Sequence, residues 1–141
     1  MPGLMLIIDD NEGISSLLTS FFQSKGFAVH TASDGPSGIQ KARELLPDII
    51  TLDFNMPGMN GVEVYNELRR QPETTVIPVI FFSSTLLGII KRMILDNPRV
   101  QFIKKPCSPA DIEKCVNALL SMPKLAPPPP PPPPPGNRQP K

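Results

Sequence analysis

The 141-residue chain carries 14 Lys and Arg against 13 Asp and Glu, and because Lys124, Arg138 and Lys141 all follow residue 122, the body before them holds 11 against 13. That length suits one domain with a sizeable core, and that charge balance shows neither the basic footprint of a nucleic-acid binder nor an acidic tail. An N-terminal apolar run over residues 4–8 stops at two aspartates, far short of a signal h-region or a membrane span. A cytoplasmic protein that touches neither nucleic acid nor membrane is therefore expected, with Cys107 and Cys115, at no metal spacing, as reduced thiols.

In chain order, the apolar, β-branched run 4–8 is of strand length and ends at Asp9 and Asp10. Ile14, Leu17, Leu18, Phe21 and Phe22 follow at helical spacing, and Gly26 supplies a C-terminal cap. A second strand is expected over 27–32, where His30 stands alone and reads as a surface or edge residue. The third, over 49–52, ends at Asp53, and Val62, Tyr65 and Leu68 then form the core stripe of a helix. The fourth, over 79–82, ends at Ser83 and Ser84. Seven of the ten residues in 86–95 are large and apolar, more than one buried stripe requires. The fifth run, 100–103, ends at Lys104 and Lys105. The last helix opens Ser108-Pro109-Ala110-Asp111, with an N-cap hydroxyl, proline at the first helical position and an acid at the third. Ile112, Cys115, Val116, Leu119 and Leu120 are its expected buried stripe.

Strand and helix alternating five times predict a parallel sheet covered on both faces by helices, because parallel strands require crossover connections. The ordered domain is expected over 1–122. Residues 123–141, with nine consecutive prolines at 127–135, are expected as a disordered tail or linker that does not pack on the domain, its prolines a semi-rigid polyproline II spacer or a docking ligand for an aromatic groove.

In a doubly wound sheet ligands sit at the carboxyl ends of the strands, and here those ends carry Asp9, Asp10, Asp53, Ser83, Ser84, Lys104 and Lys105. Clustered carboxylates repel one another and invite a hard cation, for which oxygen donors suit magnesium. A phosphoryl group could then be stabilised by the cation, an ammonium and a hydroxyl while one carboxylate attacks in line. Each residue alone has a plainer explanation: an acidic pair at a helix start, a surface lysine, a serine N-cap. Their shared position at strand ends is what singles them out.

These residues resemble the response-regulator receiver (CheY-like) family of two-component signalling. Leu6-Ile7-Ile8-Asp9-Asp10-Asn11 is similar to its first strand and acidic pair, and Asp53-Phe54-Asn55-Met56-Pro57-Gly58-Met59-Asn60-Gly61 to its phosphoacceptor loop. Pro78-Val79-Ile80-Phe81-Phe82-Ser83-Ser84 resembles the strand that ends in the switch hydroxyl, and Phe102-Ile103-Lys104-Lys105-Pro106 the end of the fifth strand. The resemblance implies a flavodoxin-like domain of five parallel strands in the order 2-1-3-4-5 with five helices. It makes Asp53 the nucleophile that accepts a phosphoryl group from a sensor histidine kinase, a phosphotransfer protein or a small donor. It implies Mg2+ held by Asp10, Asp53 and the Asn55 backbone carbonyl, with Asp9 acting through water. Lys105 would pair with the phosphoryl oxygens, by way of a cis bond to Pro106, while Ser83 and Phe102 would form the switch. Such a chain is no general enzyme, since it would catalyse only its own phosphorylation and dephosphorylation. Homodimerisation through the fourth helix, fifth strand and fifth helix, strengthened by phosphorylation, is also implied.

Asn55 and Thr85 match family positions that tune the lifetime of the phosphoryl group. Departures from the pattern are Ser83 for threonine, Phe102 for tyrosine, Asn97-Pro98-Arg99-Val100-Gln101 before the aromatic, and Cys107 after the Lys-Pro pair. Two other readings compete: a receiver-like module that binds a partner without being phosphorylated, and a magnesium-dependent phosphohydrolase, whose Asp-x-Asp pattern would place a second acid at Asn55. The complete set of Asp9, Asp10, Asp53, Ser83 and Lys105 weighs against the first, and turnover of an added phosphate ester would mark the second.

Overall fold

A computed structural model describes residues 3–83, 100–105 and 108–122. The five strands are β1 (Gly3–Ile8), β2 (Phe27–Ala32), β3 (Ile49–Asp53), β4 (Val79–Ser83) and β5 (Val100–Lys104). The described helices are α1 (Glu12–Ser24), α2 (Gly35–Leu45), α3 (Gly61–Arg69) and α4 (Pro109–Leu120). All strand pairs are parallel and their order is β2-β1-β3-β4-β5, so the sheet expected from the sequence is present, with helices on both faces. The apolar segment 86–95, expected as a further helix, lies outside the described residues, as do Ser84, Thr85, Pro106, Cys107 and the tail 123–141.

The two-residue periodicity of the strands sorts their side chains into two cores. Leu6, Ile8, Ile50, Leu52, Val79 and Phe81 pack with Ile39 and Ala42 of α2 and Val62, Tyr65 and Leu68 of α3. Met5, Ile7, Ile49, Ile80 and Phe82 point the other way, onto Leu18 and Phe22 of α1 and Ile112, Val116 and Leu119 of α4. β1, β3 and β4 are central and buried on both sides, which is why they read as unbroken apolar runs rather than alternating ones.

Capping fixes where the helices begin and end. The Asn11 side chain accepts from Ile14 N–H at 3.0 Å at the start of α1. Gly26, at φ 96°, turns the chain out of that helix and donates to Gln23 O at 3.0 Å. Asn60 with Glu63, and Ser108 with Asp111, are reciprocal capping boxes at α3 and α4. His30 is exposed on β2, an edge strand, and Cys115 is a free thiol.

One expected core residue faces solvent. Helical spacing groups Leu17 with Ile14, Leu18, Phe21 and Phe22, yet it is 56 % exposed. The buried line of α1 is Ser15, Leu18 and Phe22, and at about 100° per residue Leu17 is turned roughly 100–160° from all three. Rotation of the helix toward Ser15 brings that hydroxyl within 3.4 Å of the Asp9 carbonyl oxygen, which satisfies a buried acceptor that an apolar side chain would have left bare.

Candidate functional site

Strand order reverses between β1 and β3, and ligands of doubly wound sheets bind outside the strand ends at such a point. Asp9 and Asp10 follow β1, and Asp53 is the last residue of β3. Carboxylate oxygens of the three lie within 4.8 Å of one another. Asp9 and Asp53 are only 3 % and 4 % exposed, whereas Asp10 is open to solvent.

Lys105 enters from the far side of the sheet. Its backbone N–H donates to Ser83 O at 2.8 Å, extending the β4–β5 pairing by one residue, and its Nζ lies 3.1 Å from Asp9 Oδ2 and 3.4 Å from Asp53 Oδ1. The ammonium also sits 4.8 Å from the centroid of the Phe82 ring, a favourable cation–π arrangement that holds it over the pocket. One ammonium thus faces two buried carboxylates, so negative charge is under-compensated. Burial, and next the Asp9 carboxylate, push the Asp53 carboxyl up to about 6, against the opposing pull of Lys105 and the Asn55 N–H.

The loop after β3 is pinned at both ends. The Asn55 N–H reaches Asp53 Oδ1 at 3.3 Å, Met56 is buried in the α2–α3 core, and Gly61 donates to Phe54 O at 2.9 Å. Gly61 must be glycine for a steric reason, since a Cβ there would stand 2.6 Å from the Asp53 carbonyl oxygen and 2.9 Å from Phe54 Cα. Gly58 has a conformational reason instead, a φ of 83° with open space around it.

Ser83 ends β4 wholly buried. Phe102 on β5 is half-buried and stacks on Phe81, with ring centroids 5.6 Å apart and planes 10° from parallel, and Phe81 in turn meets Tyr65 of α3. The structure therefore brings Asp9, Asp10, Asp53 and Lys105 into direct proximity and sets Ser83 and Phe102 on the two strands beside them. The exposed Asn55 flanks Asp53 in the loop. Sequence reasoning missed the Ser15 hydroxyl beneath Asp9, the Phe82 ring under Lys105 and the turn that the Asp9 carboxylate makes ahead of α1. Asp9 Oδ1 accepts from the Asn11 N–H at 2.9 Å, and the Asp-x-Asn spacing was the available signal for that turn.

The arrangement offers oxygen donors for a hard cation, a buried carboxylate as nucleophile and an ammonium to balance developing negative charge. Among the described residues no helix is long and apolar enough to cross a membrane.

Comparison with known proteins agrees with this geometry. The chain is 32 % identical over 122 residues to the alkaline phosphatase synthesis transcriptional regulatory protein PhoP of Bacillus subtilis, covering 86 % of this chain and 50 % of that protein. It is 30 % identical over 121 residues to the hybrid signal transduction histidine kinase D of Dictyostelium discoideum, covering 86 % of this chain and 8 % of that one. The chain spans about half the length of the first of these relatives and a small part of the second. Among solved structures, the chemotaxis protein CheY4 of Vibrio cholerae superposes with a TM-score of 0.77 at 26 % identity, over 82 % of this chain and 97 % of that one. The family model described as the response regulator receiver domain matches residues 5–117, and with that match over most of its length the chain belongs to the receiver-domain family of two-component signalling.

Proposed function

We propose that Asp53 is a phosphoacceptor and that the chain works as a phosphorylation-triggered switch. The observation that carries this reading is the Asp53 carboxylate, 4 % exposed at the switch point of the sheet, with the Lys105 ammonium 3.4 Å away and Asp9 and Asp10 close enough to share a cation. A carboxylate oxygen of Asp53 attacks the donor phosphorus, an acyl phosphate forms, and the donor's P–O or P–N bond breaks with its electron pair leaving on the acetate or imidazole. Lys105 stabilises the equatorial oxygens as charge spreads onto them, and the Ser83 hydroxyl donates to one of them.

The donor set fits magnesium, since three mutually repelling carboxylates face a single ammonium. Asp10, Asp53 and the backbone carbonyl of Asn55 would hold the ion, with Asp9 acting through water, and the bound ion would supply charge neutralisation for the entering phosphoryl group. Phe102, stacked on Phe81, changes its burial as Ser83 moves onto the phosphoryl oxygens, and this alters the face that a partner reads. The donor partners in this reading are a sensor histidine kinase or phosphotransfer protein, and a cytoplasmic location follows from that partner class. The only chemistry catalysed is the domain's own phosphorylation and dephosphorylation.

Incubation with Mg2+ and acetyl phosphate should add one phosphoryl group by intact mass, labile to alkali as acyl phosphates are, and Asp53→Asn should abolish it. Equal labelling of the two proteins would sink the assignment. Steady hydrolysis of an added phosphate ester would favour a phosphohydrolase instead.

A further inference from the structure

Strand register sets one aromatic ring beside the charged pocket. Phe82 of β4 pairs with Asp53 of β3 on one side and with Ile103 of β5 on the other, and residues paired across strands point to the same face of a sheet. The Asp9 N–H donates to Ala32 O and the Lys105 N–H to Ser83 O, so β1 and β5 each continue their pairing by a step. Asp9 stands two residues beyond Ile7 and Lys105 two beyond Ile103, so both side chains leave on the face of Phe82. Because β4 lies between β3 and β5, the Phe82 ring stands between Asp53 and the point where Lys105 enters. The Lys105 Nζ is 4.8 Å from the ring centroid, 3.1 Å from Asp9 Oδ2 and 3.4 Å from Asp53 Oδ1. Phe82 is 5 % exposed and the lysine side chain 15 %, so the contact is largely withdrawn from water, where a ring face attracts a cation most strongly.

We propose that Phe82 is a positioning residue for phosphoryl transfer, acting through Lys105: its ring face keeps the ammonium over the pocket while leaving the N–H groups free to turn. The inference rests on Asp53 being the phosphoacceptor. In the resting pocket the ammonium lies nearer Asp9 than Asp53, and an arriving phosphoryl group needs it on the phosphoryl oxygens. A carbonyl or a further carboxylate in place of the ring would accept one of the three N–H groups and fix the lysine in one orientation. The ring face attracts the charge as a whole, so the N–H groups can pass from carboxylate to phosphoryl oxygen without the ammonium leaving the pocket. An aliphatic side chain would fill the same core space and supply none of this. Phe81, one residue earlier, points into the opposite core and stacks on Phe102, so the two consecutive aromatic residues of β4 serve different faces of the sheet.

Fluorination separates this role from packing, because fluorine drains electron density from the ring face with little change of shape. The full 141-residue chain is prepared with phenylalanine, 4-fluoro-, 3,5-difluoro- or 3,4,5-trifluorophenylalanine at position 82, given Mg2+ and acetyl phosphate, and followed by intact mass. The rate of Asp53 labelling should fall stepwise with fluorine number, to about a tenfold loss at the trifluoro ring, and Phe82→Leu should lose at least as much. The same series at Phe22, a buried ring of the same core that packs against Phe21 and Phe27, should leave the rate unchanged. Without donor, NMR should show the Lys105 ε-methylene protons shifted upfield by the ring current in wild type, and that shift should vanish in Phe82→Leu. Rates that stay level across the position-82 series in a protein that is otherwise labelled would overturn the role of the ring alone. Equal losses at positions 22 and 82 would reduce the effect to core packing, and a wild-type Lys105 without the upfield shift would remove the contact itself; either result overturns the proposal. A wild type that takes no label at all would instead fell the phosphoacceptor reading, and the positioning role with it.

Discussion

Asp53 concentrates the site's electrostatic strain, and that strain has a measurable sign. Its carboxyl is raised to about 6 in the folded protein, first by burial and then by Asp9, while an unfolded aspartate titrates near 4. Below about pH 4 both states hold the proton and the group contributes no pH dependence. Between about 4 and 6 only the folded state keeps it, so stability falls as pH rises, and above about 6 the full penalty, on the order of 3 kcal/mol, is in force. In chelator-treated buffer at pH 7, Asp53→Asn is therefore expected to be more stable than wild type by about 1–3 kcal/mol in urea unfolding, because the neutral amide removes the unfavourable charge yet can still accept from the Asn55 N–H. The gap should shrink steadily toward pH 4. A gap that does not change between pH 7 and pH 4 would mean that Asp53 is not the group titrating. Lys105 explains why the cluster tolerates two buried carboxylates at all, since a buried charge persists only where a partner faces it.

Among the elements, α1 and the β3–α3 loop show how packing selects from what composition allows. Ile14, Leu17, Leu18, Phe21 and Phe22 form a stripe wider than one contact line, and the sheet accepts the side on which Ser15 reaches the Asp9 carbonyl. Leu18→Ala should accordingly cost about 2–5 kcal/mol through the cavity it leaves, whereas Leu17→Ser should stay within about 0.5 kcal/mol. Comparable losses for both would restore the unrotated helix. In the loop, Gly61→Ala forces a Cβ to within 2.6 Å of the Asp53 carbonyl oxygen, and both neighbours are backbone that cannot swing aside. It should destabilise by about 1–3 kcal/mol and slow phosphorylation of Asp53 together with it. Gly58→Ala meets nothing within 4 Å and should cost only the left-handed penalty of about 1–2 kcal/mol. If the two variants behaved alike, the close approach at Gly61 would not be what holds the loop.

On the scale of the whole molecule, the sheet sets the charged cluster of Asp9, Asp10 and Asp53 at the carboxyl ends of β1 and β3. The partner face proposed from composition involves the segment 86–95, outside the described residues, whose apolar content exceeds one buried stripe. We propose from that composition that the segment contributes a contact surface, so the protein is expected to self-associate more strongly when phosphorylated, with Ile90→Glu weakening association and leaving Asp53 labelling intact. Sedimentation velocity at high micromolar concentration checks this, and a monomer in both phosphorylation states would exclude it.

The sequence by itself determined the parallel sheet, because five β-branched runs separated by helical periodicity admit few other solutions, and each strand lies within a residue of where its apolar run does. It also determined which residues stand at the strand ends and the cap of the last helix at Ser108 with Asp111, whereas the Asn60–Glu63 capping box was not read from the sequence. Only the tertiary structure decided the pairing of Lys105 with Asp9 as well as Asp53, the turning of Leu17 to solvent and the backbone contact that reserves position 61 for glycine. Local periodicity reaches over a few residues, whereas each of these depends on groups brought together across the sheet, and Lys105 and Asp9 are 96 residues apart in the chain. Distances of that kind are set by strand order and register, which no short window of sequence contains.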